Sequence, residues 1–111
     1  MFLSDHRLAA TFFLLPLIWT IPPAQANEAG RTTYASVCSA CHAPENVMVD
    51  SPKAGDTAEW DRRLRKGMAA VIDNAVAGLG AMPPKGGRSD LSRDTIQWAI
   101  EFMMTYRPGS K

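Results

Sequence analysis

The sequence predicts an all-α domain of about four short helices joined by long loops. Three observations predict it. Apolar residues recur at spacings of three and four, the apolar stretches are bounded by helix caps, glycines and prolines, and no convincing strand alternation occurs. The 111 residues suffice for one small domain, and 46% hydrophobic with 21% charged residues is ordinary for a globular chain.

The first twenty-six residues differ from the rest. A polar start with Asp5, His6 and Arg7 precedes an apolar run from Leu8 to Ile21, interrupted by Pro16, and Ala24-Gln25-Ala26 then places small residues where a signal peptidase needs them. We expect residues 1–26 to be an export signal, the mature domain to occupy residues 27–111 from Asn27, and the location to be periplasmic. A membrane-spanning helix needs roughly twenty apolar residues, and this run is shorter, so an uncleaved anchor is the lesser alternative.

In the mature segment a first helix is expected over about Gly30 to Ala40, with Tyr34, Val37, Cys38 and Cys41 on one face. A loop marked by Pro44, Asn46, Pro52 and Gly55 follows. A second helix starts at Asp56, where Asp56 and Glu59 resemble a capping box, and buries Trp60 and Leu64. Gly67 interrupts it. The third helix, about Met68 to Ala77, carries Met68, Val71, Ile72, Ala75 and Val76 toward a core, with Leu79 continuing the same spacing; Gly78 and Gly80 stop it. Ala81 to Asp90 reads as irregular, because Pro83 and Pro84 lack donors and Gly86 and Gly87 loosen the backbone. The last helix follows the cap Ser92, with Asp94 in its first turn. It presents Ile96, Ala99, Ile100 and Met103 as one stripe and Trp98 and Phe102 as a second, and ends at Pro108-Gly109.

A domain this small is marginal on its own core and usually needs a disulfide, metal or cofactor. The chain has two cysteines, both in Cys38-Ser39-Ala40-Cys41-His42, which is C-x-x-C-H, the c-type haem attachment pattern. Two thiols at this spacing reach the haem edge from the end of one helix, and the next residue turns its imidazole under the iron. Two other readings of the pair are a dithiol oxidoreductase, which needs a strand before the motif, and a structural disulfide. Within residues 27–111 His42 is the sole histidine.

A thioether ligand on the other haem face raises the potential of the iron. Met48 follows His42 too closely to cross the haem, and Met68, Met103 and Met104 fall in helices and suit packing. Met82 lies in irregular chain before two prolines, which restrict the backbone, and is the candidate second axial ligand. The basic run Arg62, Arg63, Arg65 and Lys66 is foremost a solvated helix face; Arg62 or Arg63 is the candidate partner of a haem propionate. Net charge is +1, which gives no basic surplus for nucleic acid.

The residues Tyr34, Gly55-Asp56, Trp60, Gly67-Met68, Gly80-Ala81-Met82-Pro83-Pro84-Lys85-Gly86-Gly87, Leu91-Ser92 and Phe102-Met103, together with C-x-x-C-H, resemble the small cytochromes of the c5 type over nearly all of the mature segment. The resemblance implies the class I cytochrome c fold around one covalently attached haem c. It implies thioether attachment at Cys38 and Cys41, and iron ligation by His42 and Met82. It also implies non-enzymatic electron transfer in a bacterial respiratory chain, with redox protein partners and transient association with membrane respiratory complexes. The sequence departs from some relatives at Arg88 and Asp90, near which those relatives carry two further cysteines, and in the Pro44 to Pro52 loop, which is not glycine-rich. A haem sensor or peroxidase-like enzyme with an open distal site is the competing function.

Overall fold

The helical reading holds through four helical units. The computed structural model describes residues 12–109; the start of the expected export signal, residues 1–11, lies outside them. The units are α1 (Pro23–Thr33) continuing through a π-helical turn (Tyr34–Cys38) into α2 (Ser39–His42), then α3 (Thr57–Leu64), α4 (Met68–Ala77) and α5 (Arg93–Thr105). Among the described residues there is no strand, only an isolated bridge between Leu79 and Met82.

The first unit starts earlier than its periodicity suggested. Pro22 is extended and Pro23 occupies the first turn, where its fixed φ suits a helix and its missing N–H is no loss. The unit therefore runs through the expected cleavage point and on to His42. The π-turn is a second difference. The Ser39 N–H reaches back to the Tyr34 carbonyl, while the Ser36 and Ser39 hydroxyls donate to the carbonyls of Thr32 and Ala35 at 2.8 and 3.0 Å. Hydroxyls competing for helix carbonyls favour such local widening, a signal that apolar spacing does not carry.

α3 is capped by Asp56, whose carboxylate accepts from the Glu59 N–H at 3.2 Å. The reciprocal half of the capping box is absent, because the Glu59 carboxylate binds Arg62 and Arg63 instead. Gly67, at φ 91°, separates α3 from α4, and Gly78, at φ 83°, ends α4. Ser92 caps α5 by accepting from the Thr95 N–H at 3.1 Å, with Asp94 in the first turn.

The first unit crosses α5, and α3 and α4 pack against α5 from the other elements. The crossing is close at Gly30, which is buried, and where a Cβ would run into the Trp98 carbonyl. Tyr34, Ala54, Trp60, Ile72, Ala75, Ile96, Ile100 and Met103 form the core. Tyr34, Phe102 and Tyr106 stack around one another at centroid separations of 5.2 to 5.9 Å, so Phe102 serves the aromatic cluster rather than a separate face. Leu79 is not a core residue; it is 54% exposed, because the turn after Gly78 carries it off the helical spacing.

Replacing Gly30 by valine forces the first unit away from α5. Overpacking of this kind costs about 1–3 kcal/mol, which lowers the melting temperature of a domain this size by roughly 5–20 °C; thermal unfolding followed by circular dichroism measures it.

Candidate cofactor site

The C-x-x-C-H motif falls where the π-turn gives way to the short α2, so its three reactive side chains come from one continuous rod. Cys38 is half-buried and packs against the core, Cys41 is exposed, and His42 is buried. The thiols are free. A helix leads into the motif, not the strand that a thioredoxin-like dithiol site requires. Burial pushes the Cys38 thiol up to about 11.

His42 is held in one orientation. Its Nδ1–H donates to the Pro52 carbonyl at 2.7 Å. A carbonyl can only accept, so this bond fixes the neutral tautomer with the proton on Nδ1 and leaves the Nε2 lone pair for a metal. Burial is the largest influence on the ring and holds its pKa below the ordinary histidine value, with Lys53 and Arg63 acting in the same direction and the Pro52 bond against it. Burial thus favours the neutral imidazole, the form whose Nε2 can bind a metal.

The loop from Ala43 to Asp56 does this positioning by satisfying carbonyls that a helix end leaves free. The Ala54 N–H donates to the His42 carbonyl at 2.8 Å, and Ser51 and Lys53 donate to the Cys41 carbonyl at 2.6 and 3.0 Å. The Asn46 amide donates to the Ala40 carbonyl, while its oxygen accepts from the N–H groups of Met48 and Val49. Trp60 closes the arrangement: its indole N–H donates to the Lys53 carbonyl at 2.9 Å. Trp60 is thus both core and donor, although its donor role is to the histidine loop. Sequence reasoning missed Asn46, Ser51 and Lys53 as parts of the site; the only available signal was a polar residue cluster shortly after His42.

Met82 is reached from the opposite end of the chain. The Leu79 N–H donates to the Met82 carbonyl at 3.1 Å, and the Met82 N–H to the Leu79 carbonyl at 3.0 Å. Gly80, at φ 57°, permits this tight turn. Gly78 has no room for a side chain beside the Met82 carbonyl and the Pro84 nitrogen. The Met82 side chain is half-buried against the core, as is Cys38. Gly86 approaches Val37, the residue before the motif, so closely that a Cβ would lie 3.1 Å from its Cγ1. The stretch expected to be wholly irregular contains a short 3-10 turn at Pro84–Gly87, with Lys85 and Gly86 at positive φ.

Met48 is 89% exposed, and Met103 lies in the core. Of the basic run, Arg62 and Arg63 both pair with Glu59 at 2.7 Å. Two thiols and an imidazole with its Nδ1 proton engaged, carried on one continuous rod, fit haem c.

The family model described as "Cytochrome C oxidase, cbb3-type, subunit III" matches residues 25–103. Cytochrome c-555 of Chlorobaculum thiosulfatiphilum is 35% identical over 80 residues, covering 68% of this chain and 91% of that one. Cytochrome c5 of Ectopseudomonas mendocina is 39% identical over 71 residues, covering 62% of this chain and 79% of that one. A chain of the crystal structure of an electron transfer complex of nitrite reductase with cytochrome c superposes with a TM-score of 0.62 at 34% identity, covering 77% of this chain and 95% of that one.

Trp60→Phe removes the indole N–H and part of a buried ring, and leaves the Lys53 carbonyl with the Asp56 N–H alone. Stability should fall by about 1–3 kcal/mol, as read by guanidinium unfolding of the cofactor-loaded protein, whereas Met48→Ala, at an exposed loop position, should change it by less than about 0.5 kcal/mol.

Proposed function

This chain belongs to the small monohaem class I cytochromes c, and from that premise we propose that it carries single electrons between protein partners outside the cytoplasmic membrane. The cofactor is haem c, the covalently attached group of this family. In this reading Cys38 and Cys41 form its thioethers, and His42 Nε2 and the Met82 sulfur ligate the iron. The observation that carries the reading is the His42–Pro52 hydrogen bond, which aims a neutral imidazole with a free Nε2 from the residue next to a C-x-x-C pair.

When bound, haem c supplies a one-electron ferric–ferrous couple. The chain's residues tune and hold that couple. The Pro52 carbonyl raises the basicity of the imidazole by accepting its Nδ1 proton. The Met82 thioether, a soft and neutral donor, favours the reduced metal and so raises the potential. With His42 and Met82 both holding the iron, a small molecule would have to displace one of them to react, and residues 27–111 offer no second histidine as a proton donor. This supports electron transfer rather than catalysis.

Respiratory electron transfer in a bacterium is the context proposed. The matched family model is described as an oxidase subunit, and the structural neighbour is in an electron transfer complex with nitrite reductase. By that analogy the partners are redox proteins, including membrane respiratory complexes met transiently, since small contacts suit weak electron-transfer encounters. A net charge of +1 supplies little long-range steering.

Residues 1–26 are proposed to direct export to the periplasm and to be removed. Phe12, Phe13, Leu14, Leu15, Leu17, Ile18 and Trp19 are all largely exposed in the structure and contribute nothing to the core, which suits a segment that the folded domain does not need. Among the described residues no helix is long and apolar enough to cross a membrane.

Expressed in a host able to attach haem, the exported protein should carry one haem in its intact mass and show the far-red band of iron–thioether ligation when oxidised. Met82→Ala should abolish that band and lower the potential by on the order of 100 mV. A colourless secreted chain with the mass of its amino acids alone would overturn the reading.

A further inference from the structure

From Ala81 to Asp90 every residue is exposed except Met82 and Lys85. A half-buried lysine in an otherwise solvated loop calls for a reason, because a long cationic side chain gains most by remaining in water. The reason lies in what its ammonium reaches. Lys85 Nζ donates to the Leu91 carbonyl at 2.8 Å and to the Ser89 carbonyl at 3.4 Å. Leu91 packs against the core and directly precedes the cap of α5.

The backbone of Lys85 is unusual as well. Its φ of 56° makes it the one non-glycine residue with positive φ among those described. A lysine in the left-handed region is uncommon and is retained where its surroundings over-determine it. Three backbone bonds fix this part of the loop: the Gly86 N–H to Pro83, the Arg88 N–H to Lys85 and the Leu91 N–H to Arg88. Arg88 and Asp90 add a two-point ion pair at 2.8 Å, in which the Arg88 guanidinium holds the Asp90 carboxyl down to about 2.

We propose that Lys85 is a positioning residue for Met82, a clamp whose ammonium ties the Met82-Pro83-Pro84 segment to the start of α5. The proposal rests on the reading of Met82 as the iron ligand. The clamp spans Lys85 to Leu91, over the turn that the Arg88–Asp90 ion pair also braces. Two prolines separate Met82 from Lys85, so little backbone freedom remains to absorb a displacement between them. Fixing Lys85 against α5 therefore limits how far the Met82 sulfur can swing from its place.

The test is the ease with which an added ligand replaces the thioether. Imidazole can bind the iron only in the fraction of molecules whose Met82 has left, so its apparent affinity rises as that fraction rises. The haem-loaded wild type, Lys85→Gly, Lys85→Met and Met82→Ala are titrated with imidazole at neutral pH, following the far-red band where present. Lys85→Gly relieves the left-handed backbone and removes the ammonium; Lys85→Met removes the ammonium alone. Both should bind imidazole about tenfold more tightly than wild type while keeping the far-red band before titrant is added. An affinity for Lys85→Gly within about twofold of wild type overturns the clamp even if Lys85→Met has changed, since backbone strain alone would then explain the difference. A wild-type spectrum without the far-red band, or one in which Met82→Ala retains it, overturns the ligand reading and the clamp with it. Hydrogen exchange on the wild-type holoprotein tests the loop without substitution. Protected amides at Gly86, Arg88 and Leu91 support the clamp, and exchange at the rate of free chain there overturns it.

Discussion

The hydrogen bond from His42 to the Pro52 carbonyl is the constraint around which the domain is arranged. It selects a tautomer, and its geometry depends on where Pro52 lies. That in turn depends on the loop from Ala43 to Asp56 returning to the end of the rod that carries the histidine. The loop returns because the last helical carbonyls need partners, and Asn46, Ser51, Lys53 and Ala54 supply them. The same segment enters the core through Ala54 and is tied to α3 by Trp60 and to α5 by the Gly55 N–H on the Met103 carbonyl. Moving Pro52 would thus disturb three helices, which is why one short bond can rely on so much structure.

The two proposed axial ligands are held by different means. His42 is fixed by polar contacts made within about a dozen residues along the chain, in a loop that α3 and α5 hold in place. Met82 is fixed by the Leu79–Met82 turn, the Gly86–Val37 approach between distant parts of the chain, and its own packing against the core. Its placement requires that α4, α5 and the first helical unit have already come together. Gly30 is therefore linked to the cofactor site without being near any reacting atom. By letting the first unit lie against the Trp98 backbone, it sets the relation between the motif and α5, which packs in turn on α4, the helix that the Met82 loop contacts.

Much of this was legible in the sequence because it is written in local chemistry. The bounds of α4 follow from Gly67 and Gly78, and the start of α5 from Ser92; caps and left-handed glycines act within a few residues and leave clear marks. The family resemblance, carried by C-x-x-C-H and Met82 to Gly87, is equally local. What was illegible depends on geometry. The π-turn arises from hydroxyls competing for carbonyls and leaves apolar spacing almost intact. Leu79 kept helical spacing on paper, yet the chain had already left the helix at Gly78. The partners of Asn46, Ser51 and Lys53 are carbonyls, which every residue possesses, so no pattern of side chains could reveal them. Arg62 and Arg63 suit the reading of the basic run as a solvated helix face, since both pair with Glu59 on their own helix.

An electron carrier benefits when its metal surroundings change little between oxidation states, because each rearrangement adds to the barrier of transfer. Preorganised groups lower that cost by being in place beforehand. On the histidine side the bond that orients the ring is neutral and partly buried, so its strength depends little on salt. On the methionine side the chain relies on a turn, two prolines and exposed ionic contacts, which ions in solution weaken. The loop carrying Met82 is therefore the softer half of the proposed coordination sphere. Environmental influence on the potential, and any opening of the site to outside ligands, should enter from that side.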